Sequence, residues 1–543
     1  MKLLVNRVQR MAASSSSPRK KQRTESRSPN PNMLQSVVKL TRAEEKLFSF
    51  LLQVATQPEA MGTVLRVAGG WVRDKLLGQE SEDVDIVLDR MTGRAFADLV
   101  NAYETAQGRE KIAVGVIKAN PEQSKHLETA TMQIGENMGW VDFVNLRAET
   151  YASDDTRIPT VAIGTPRQDA ERRDFTINSL FYNLATKQVE DYTGRGVQDL
   201  KDGRLCTPLD PLVTFLDDPL RVLRAVRFAS RLNCTLEDTL RASAQLEEVR
   251  IALVRKVSRE RVGKELSSML TGRAAHPERA LRLLHELQLC ESVFLPSVLL
   301  QTTPVCRLNG ENASIDISVW DRSLAYISEM YHQLLPSTGK CLNVDSLSAD
   351  QKYELEIRFL ACILLPFRGF HVRDKRRRSI ASFIIQESLK LPNRAAKDVE
   401  NVLNNVSEYE TATRDGFDRV KVGLLLRKLG AQWKICHDVA LAHELVDSKP
   451  IDSSGDHRAK ILKGYDTFNA QVLDYGLDTV WKLKPLLNGH DLVKELGVKP
   501  GPQMKDVLER ILAWQLSNPH KTRDECVRHF KGVLAPATKE TQE

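Results

Sequence analysis

The chain has 543 residues, 42% hydrophobic and 27% charged, with a net charge of +7. That length buries several cores, and the mild positive charge leans toward polyanionic partners without identifying one. No apolar run approaches the roughly 18 residues that span a bilayer, and the eight cysteines form no CxxC pair, which excludes a membrane partner, a zinc cluster and a disulfide frame.

Residues 1–24 carry Lys2, Arg7, Arg10, Arg19, Lys20, Lys21 and Arg23 with a serine run and no acid. Such a start resembles a mitochondrial presequence, and "PRKKQR" resembles a nuclear localisation patch. Met11 and Met33 are possible alternative starts, so mitochondrial, nuclear and cytoplasmic forms are all expected. Residues 1–40 are therefore set apart as a disordered basic targeting segment.

From residue 41 to 185 helices and strands mix. "AEEKLFSFLLQVA" has helical spacing, "TVLRVAGG" is a strand entering a glycine turn, "WVRDKLLG" a helix closed by Gly78, and "DVDIVLD" a strand. "KIAVGVIKAN" and "WVDFVNLR" are further strands, and "FTINSLFYNL" is expected to be a helix that Arg172, Arg173 and Asp174 begin. After about Asp191 strands nearly vanish, and segments such as "PLRVLRAVRFASRL", "ERVGKELSSMLTG", "PERALRLLHELQL" and "DVLERILAWQL" all show helical spacing. The fold class is α+β: a small mixed-sheet head followed by an all-helical neck (186–280), body (281–430, with a loop-rich insertion at 300–350) and tail (431–543).

Four groups of residues carry chemistry. Asp83 and Asp85, at i and i+2 on a strand, share a face, and two carboxylates with no base beside them call for a hard divalent cation, Mg²⁺. A two-metal site needs a third acid, for which Asp142 is the candidate. Alone, an Asp-x-Asp is more often an ordinary surface strand. Gly69 and Gly70 shift that balance, because bare backbone lets a phosphate approach the amides of the helix that follows, where Arg73 can clamp its oxygens.

Further on, Arg172, Arg173 and Asp174 are read either as a capped helix start or as a triphosphate or ribose contact. In "FLDDPLRVLRAVRF", Asp218 before Pro219 suits an N-cap, and Arg221, Arg224 and Arg227 form a slowly rotating basic stripe. Cytosine and adenine each present an exocyclic amine beside a ring-nitrogen acceptor, whereas uracil and guanine present the reverse. A carboxylate and a guanidinium one turn apart can therefore accept C and A and reject U and G without a template.

In order and spacing, "GGWVRD", "DVDIVLD", "ERRDFTIN", "DPLRVLRAVRF" and "VSRERVGKEL" resemble the head and neck motifs of the class II tRNA CCA-adding nucleotidyltransferases, and the fungal members above all. The resemblance covers residues 60–270 and extends weakly to 486–516, similar to a tRNA-binding tail. It implies an enzyme that adds C, C and A to tRNA 3′ ends from CTP and ATP. Asp83 and Asp85 fall on the Mg²⁺ ligands, and Gly70, Arg73 and Arg173 on phosphate contacts. Asp218 and Arg221 fall on the base-reading pair, with Arg224 and Arg227 on later positions of that helix. Where the family usually has Glu-Asp, this chain has Asp217-Asp218. Residues 148–169 correspond to the family's flexible loop, which favours full CCA addition over a CC-only, A-only or poly(A)-adding relative; a non-catalytic RNA-binding scaffold is the reading from another class. Nothing in the sequence fixes the oligomeric state.

Overall fold

Among the described residues, nine short strands organise the first third of the chain: β1 (Leu65–Ala68), β2 (Val84–Leu88), β3 (Val114–Ile117), β4 (Thr129–Gln133), β5 (Trp140–Asn145), β6 (Arg147–Thr150), β7 (Thr160–Ile163), β8 (Leu180–Asn183) and β9 (Gln188–Asp191). The computed structural model describes residues 34–35, 37–81, 83–117, 129–135, 139–150, 160–302, 304–307, 309, 311–335, 342–448 and 456–534. Seven of the strands form one sheet in the order β3-β4-β5-β2-β1-β8-β9, while β6 and β7 pair as a separate antiparallel ribbon. β2 and β5 run parallel, and the other neighbours in the sheet run antiparallel. The sheet is mixed, as expected.

One face of the sheet is covered by α1 (Arg42–Val54) and α3 (Gly93–Ala106), and between them in sequence lies the short α2 (Gly70–Leu76). A capping box starts α1: the Thr41 hydroxyl accepts from the Glu44 amide, and the Glu44 carboxylate accepts from the Thr41 amide. Leu47, Phe48, Leu51 and Val54 then point inward, each burial worth roughly 1.5–3 kcal/mol. Phe96 of α3 meets Phe143 of β5 edge-on at 5.2 Å. The opposite face carries only a small apolar cluster of Ala68, Val87, Leu146, Ala170 and Phe181. That open face is where the polar residues gather.

The remainder is helical. α4 (Pro166–Glu171) precedes β8, α5 (Pro211–Asp217) leads into Asp218, and α6 (Leu220–Leu232) and α7 (Arg259–Thr271) wall the site from the side opposite the sheet. One apolar core runs from Val38 to Val480 and takes in Leu516, and a second, smaller one (Leu487, Leu492, Val507, Ile511, Cys526, Val527, Phe530) holds the rest of residues 486–534 together. No helix among the described residues is long and apolar enough to cross a membrane. The seven cysteines among the described residues are free and buried.

Several expectations shift. "FTINSLFYNL" is a 3-10 turn (Thr176–Asn178) and then strand β8, not a helix. β8 is buried at every residue between β1 and β9, so it shows no alternation to separate it from a buried helix. Arg172–Asp174 consequently follow the end of α4 instead of starting a helix. α6 begins at Leu220, one residue past the expected start, with Asp218 still accepting from the Leu220 amide at 3.3 Å. Residues 300–350 are not mainly loop: α8 (Val319–Leu334) spans 16 residues and buries Trp320, Tyr326, Ile327, Met330 and Tyr331. The fold also begins before residue 41, since Val38 is buried and the Gln35 amide donates to the Leu76 carbonyl. Residues 1–33 lie outside the described residues.

Candidate active site

The turn between β1 and α2 sets the floor of the site. Gly69 has φ +75°, a conformation that side chains with a Cβ rarely adopt, and a Cβ there would stand 2.8 Å from an Arg173 nitrogen. Its amide donates to the Leu180 carbonyl across the sheet, which fixes the turn. The first amides of α2, from Gly70 onward, have no acceptor inside the helix, and Gly69 and Gly70 line the cavity.

That cavity has a volume of about 590 Å³ and lies between the open face of the sheet and helices α6 and α7. Gly69, Gly70, Arg73, Asp85, Asp142, Arg172, Arg173, Asp174, Asp218, Arg221 and Arg224 all line it. Two of the expected residues do not. Asp83 lies exposed just before β2, and Arg227 is turned behind the wall, where its Nε bonds Glu265 at 2.7 Å and its guanidinium covers the Phe228 ring at 4.4 Å. Eight arginines face four aspartates around the cavity, so the site suits a polyanion.

Asp85 and Asp142 are register partners on the parallel pair β2 and β5, and their side chains share the open face. The Thr131 hydroxyl donates to Asp142 at 2.6 Å from the next strand. Asp85 keeps solvent contact, yet enclosure by the cavity walls pushes its carboxyl up; Asp142 and Asp83 add to the rise against the pull of Arg173. Crowded negative charge of this kind is what a divalent cation relieves, and the oxygen donors suit a hard one. Among the described residues no three histidine, cysteine or acidic side chains close into a ready metal-ligand set. An ion here would need substrate oxygens or water to complete its shell.

The arginines are held by acids and amides that sequence reading passed over. Asp169, fully buried on α4, accepts from Arg172 at 2.6 and 2.8 Å and from Arg173 at 2.9 and 3.0 Å, and also from the Arg147 amide. The arginines keep it ionised against its burial, with its pKa below the usual carboxylate range. Asn178 accepts from Arg73 and donates to Asp174, so it joins the glycine turn to the Arg-Arg-Asp segment. Asp174 is buried, and Arg224 grips it through two nitrogens at 2.6 and 2.7 Å; despite desolvation, that contact keeps its carboxyl below the ordinary value. The Asp169–Arg172 and Asp169–Arg173 pairs lie three and four residues apart, a local spacing, whereas Asn178–Arg73 and Asp174–Arg224 join residues far apart in the chain and no spacing signals them.

At the other wall, Asp218 meets Arg261 of α7 at 3.4 Å, and Arg221 donates to the Arg172 carbonyl at 2.6 Å. Arg231, a residue not singled out from the sequence, lines the cavity beside Arg73. Burial and the neighbouring Arg73 lower its pKa to about 10. An anion in the cavity would relieve that repulsion.

Residues 65–206 match the family described as the poly A polymerase head domain. The chain is 34% identical to the mitochondrial CCA tRNA nucleotidyltransferase of Saccharomyces cerevisiae, over 92% of this chain and 94% of that one. It is 35% identical to the enzyme of the same name from Candida glabrata, over 87% of this chain and 90% of the relative. Among solved structures, a Thermotoga maritima CCA-adding enzyme complexed with tRNA shares the fold with a TM-score of 0.56 at 19% identity, covering 91% of this chain and 96% of that one.

Proposed function

The chain belongs to the CCA tRNA nucleotidyltransferase family, and from that membership we propose that it adds C, C and A to tRNA 3′ ends from CTP and ATP without a template, releasing pyrophosphate. The observation that carries this reading is one cavity joining the paired strand carboxylates, an arginine-rich wall and the Asp218–Arg221 pair.

The glycine turn and Arg73 take the triphosphate, with Arg173 across the turn from Gly69 and Arg172 beside it. Asp83 and Asp85, with Asp142 next to Asp85, would hold Mg²⁺, which when bound neutralises phosphate charge and makes the attacking hydroxyl more acidic. The tRNA 3′-oxygen forms a bond to the α-phosphorus while the bond to the β-phosphate oxygen breaks. Positioning and charge neutralisation supply most of the acceleration. Asp218 accepts from the amine of C or A, and Arg221 donates to the adjacent ring nitrogen. A uracil or guanine leaves both unpaired, at about 1–3 kcal/mol for each group. Arg224, locked to Asp174, and Arg227, locked to Glu265, hold α6 against the head and neck, so they position the readers.

Arg147, the first residue of the β6–β7 ribbon, lines the cavity, which supports a role for segment 148–169 in the change from C to A addition. Residues 151–159 of that segment lie outside the described residues. The arginine- and serine-rich start and the mitochondrial relatives support a mitochondrial form, with nuclear and cytoplasmic forms from Met11 or Met33. The tail at 431–543 is taken as the tRNA-binding end.

The test is extension of a tRNA that ends at its discriminator base. CTP alone should add two residues, ATP alone none, and both together three. Addition of C only or A only, or of an untemplated A tract, would replace this reading with a restricted or polyadenylating relative.

A further inference from the structure

Away from the cavity, the body presents a basic turn that the catalytic reading does not use. Strands β12 (Val305–Arg307) and β13 (Phe370–Val372) form a small antiparallel sheet, and the chain turns directly after β13 through "RDKRRRS" (373–379). Among the described residues, the paired two-residue strands β10 (Arg204–Leu205) and β11 (Thr235–Leu236) lie between these and the nine strands above.

The turn is built, not loose. The Asp374 carboxylate accepts from the amides of Arg376 and Arg378 at 2.9 and 3.2 Å, and the Val372 amide donates to the Arg378 carbonyl. Arg378 points inward: it bonds Asp374 at 2.6 Å, Glu387 at 2.9 Å and Gln386 at 3.0 Å. The acids of this corner are thereby taken by Arg378, with Lys390 also on Glu387 at 2.9 Å. Lys375, Arg376 and Arg377 are left exposed, and none of them meets a carboxylate among the described residues. On the adjoining strand Arg307, also exposed, lies over the Phe370 ring at 4.0 Å.

The turn is also tied to the wall of the cavity. Glu387, held by Arg378, is followed by Ser388, whose carbonyl accepts from Arg259 at 2.7 Å. Arg259 opens α7, and two residues on, Arg261 lines the cavity and meets Asp218.

We propose that Lys375, Arg376 and Arg377 form a phosphate-docking turn that grips the backbone of the RNA whose 3′ end occupies the cavity. This inference rests on the function proposed above. Three adjacent cations without acidic partners, fixed on a rigid turn, match closely spaced phosphates and read no base. A membrane surface fits less well, because binding there adds apolar insertion to charge and this turn exposes no apolar side chain. The turn leaves the reaction at the cavity unchanged and strengthens the hold on a long RNA.

The experiment compares wild type with Lys375→Ser/Arg376→Ser and with the triple variant that adds Arg377→Asn, since Arg377 has φ +47° and asparagine tolerates that conformation. Affinity for full-length tRNA is measured by fluorescence anisotropy across a series of KCl concentrations. The triple variant should bind about tenfold or more weakly, and its slope of log K against log[salt] should be shallower by roughly 2, at about 0.7–0.9 per lost phosphate contact. Addition of CCA to a short acceptor-stem hairpin should stay at the wild-type rate, with an unchanged melting temperature. Unchanged affinity and salt slope for full-length tRNA would overturn the docking turn and leave the enzyme assignment standing. Failure of the wild-type protein to extend either RNA would instead overturn the function on which it rests. Should the triple variant melt early, the double variant, which leaves the strained position alone, decides the matter: a shallower salt slope supports the docking turn, and a wild-type slope overturns it.

Discussion

Replacing Asp218 separates base reading from structural support. Its side chain is about four-fifths buried; one oxygen accepts weakly from the Leu220 amide at 3.3 Å, and the other meets Arg261 at 3.4 Å. If Asp218 served only as a cap, Asp218→Ala would cost about 1 kcal/mol of stability and leave nucleotide choice intact. As a base reader, the same change removes an acceptor for the amine of CTP and ATP and removes a mismatch for UTP and GTP. One unpaired polar contact at about 1–3 kcal/mol lowers the ratio of correct to wrong incorporation by one to two powers of ten. Asp218→Asn sharpens the contrast. A carboxamide still caps, but by turning over it can offer its NH₂ to the carbonyl of uracil or guanine, so discrimination falls while stability holds. The assay is single-nucleotide incorporation of each of the four triphosphates under kcat/KM conditions, beside a thermal melt. Wild-type discrimination in Asp218→Asn would refute the base-reading role and leave the residue as a cap.

Asp85→Ala should abolish incorporation in Mg²⁺ while tRNA affinity, measured by filter binding, stays within about threefold, because the proposed function gives the hold on RNA phosphates largely to the helical parts. Asp169→Asn should lower stability by about 2–4 kcal/mol and raise KM for both triphosphates, since Arg172 and Arg173 lose the acid that aims them; the two arginines keep about a fifth of their surface in water, which limits the cost. The pKa of Asp169 is depressed in the folded state, so its contribution is present above about pH 4 and fades as pH falls through the folded value. The gap between wild type and Asp169→Asn in urea midpoints should therefore narrow toward pH 3. A protein starting at Met33 keeps Leu34 and Val38 against the head core and should match the full chain in melting temperature and rate. A large drop in either would place part of residues 1–32 in the fold.

Local signals were readable where one segment holds both the pattern and its purpose. The Gly69–Gly70 turn, the strand that carries Asp85 and the amphipathic α6 follow from neighbours within a few residues; the turn appears where the sequence places it, while β2 and α6 each begin one residue late and leave Asp83 just outside the strand. The seven-strand order is not local: β1 lies between β2 and β8, which are about a hundred residues apart in the chain. Burial on both faces erases the alternation of β8, and scattered polar residues around α8 hide a run with Trp320, Tyr326, Ile327 and Met330 on one side. The residues that aim the arginines were invisible for a related reason. Asn178 looks like an ordinary turn residue, and only the folding of the 3-10 turn against the sheet brings it to Arg73; Asp169 lies just four residues before Arg173, but its complete burial is not visible in the sequence. Arg227 shows the reverse error of regular spacing: the three-residue rhythm continues along α6, but the helix rotates it away from the cavity and onto Glu265.

The central claim is that protein side chains alone choose the nucleotide. It is tested most directly by calorimetric titration of the RNA-free protein with CTP, ATP, UTP and GTP in Mg²⁺. With Asp218 and Arg221 as readers, CTP and ATP should bind about 10–100-fold more tightly than UTP and GTP, in line with one or two unpaired polar groups in each wrong complex. Equal affinity for all four triphosphates in the absence of RNA would contradict the claim and move the source of selection to the tRNA.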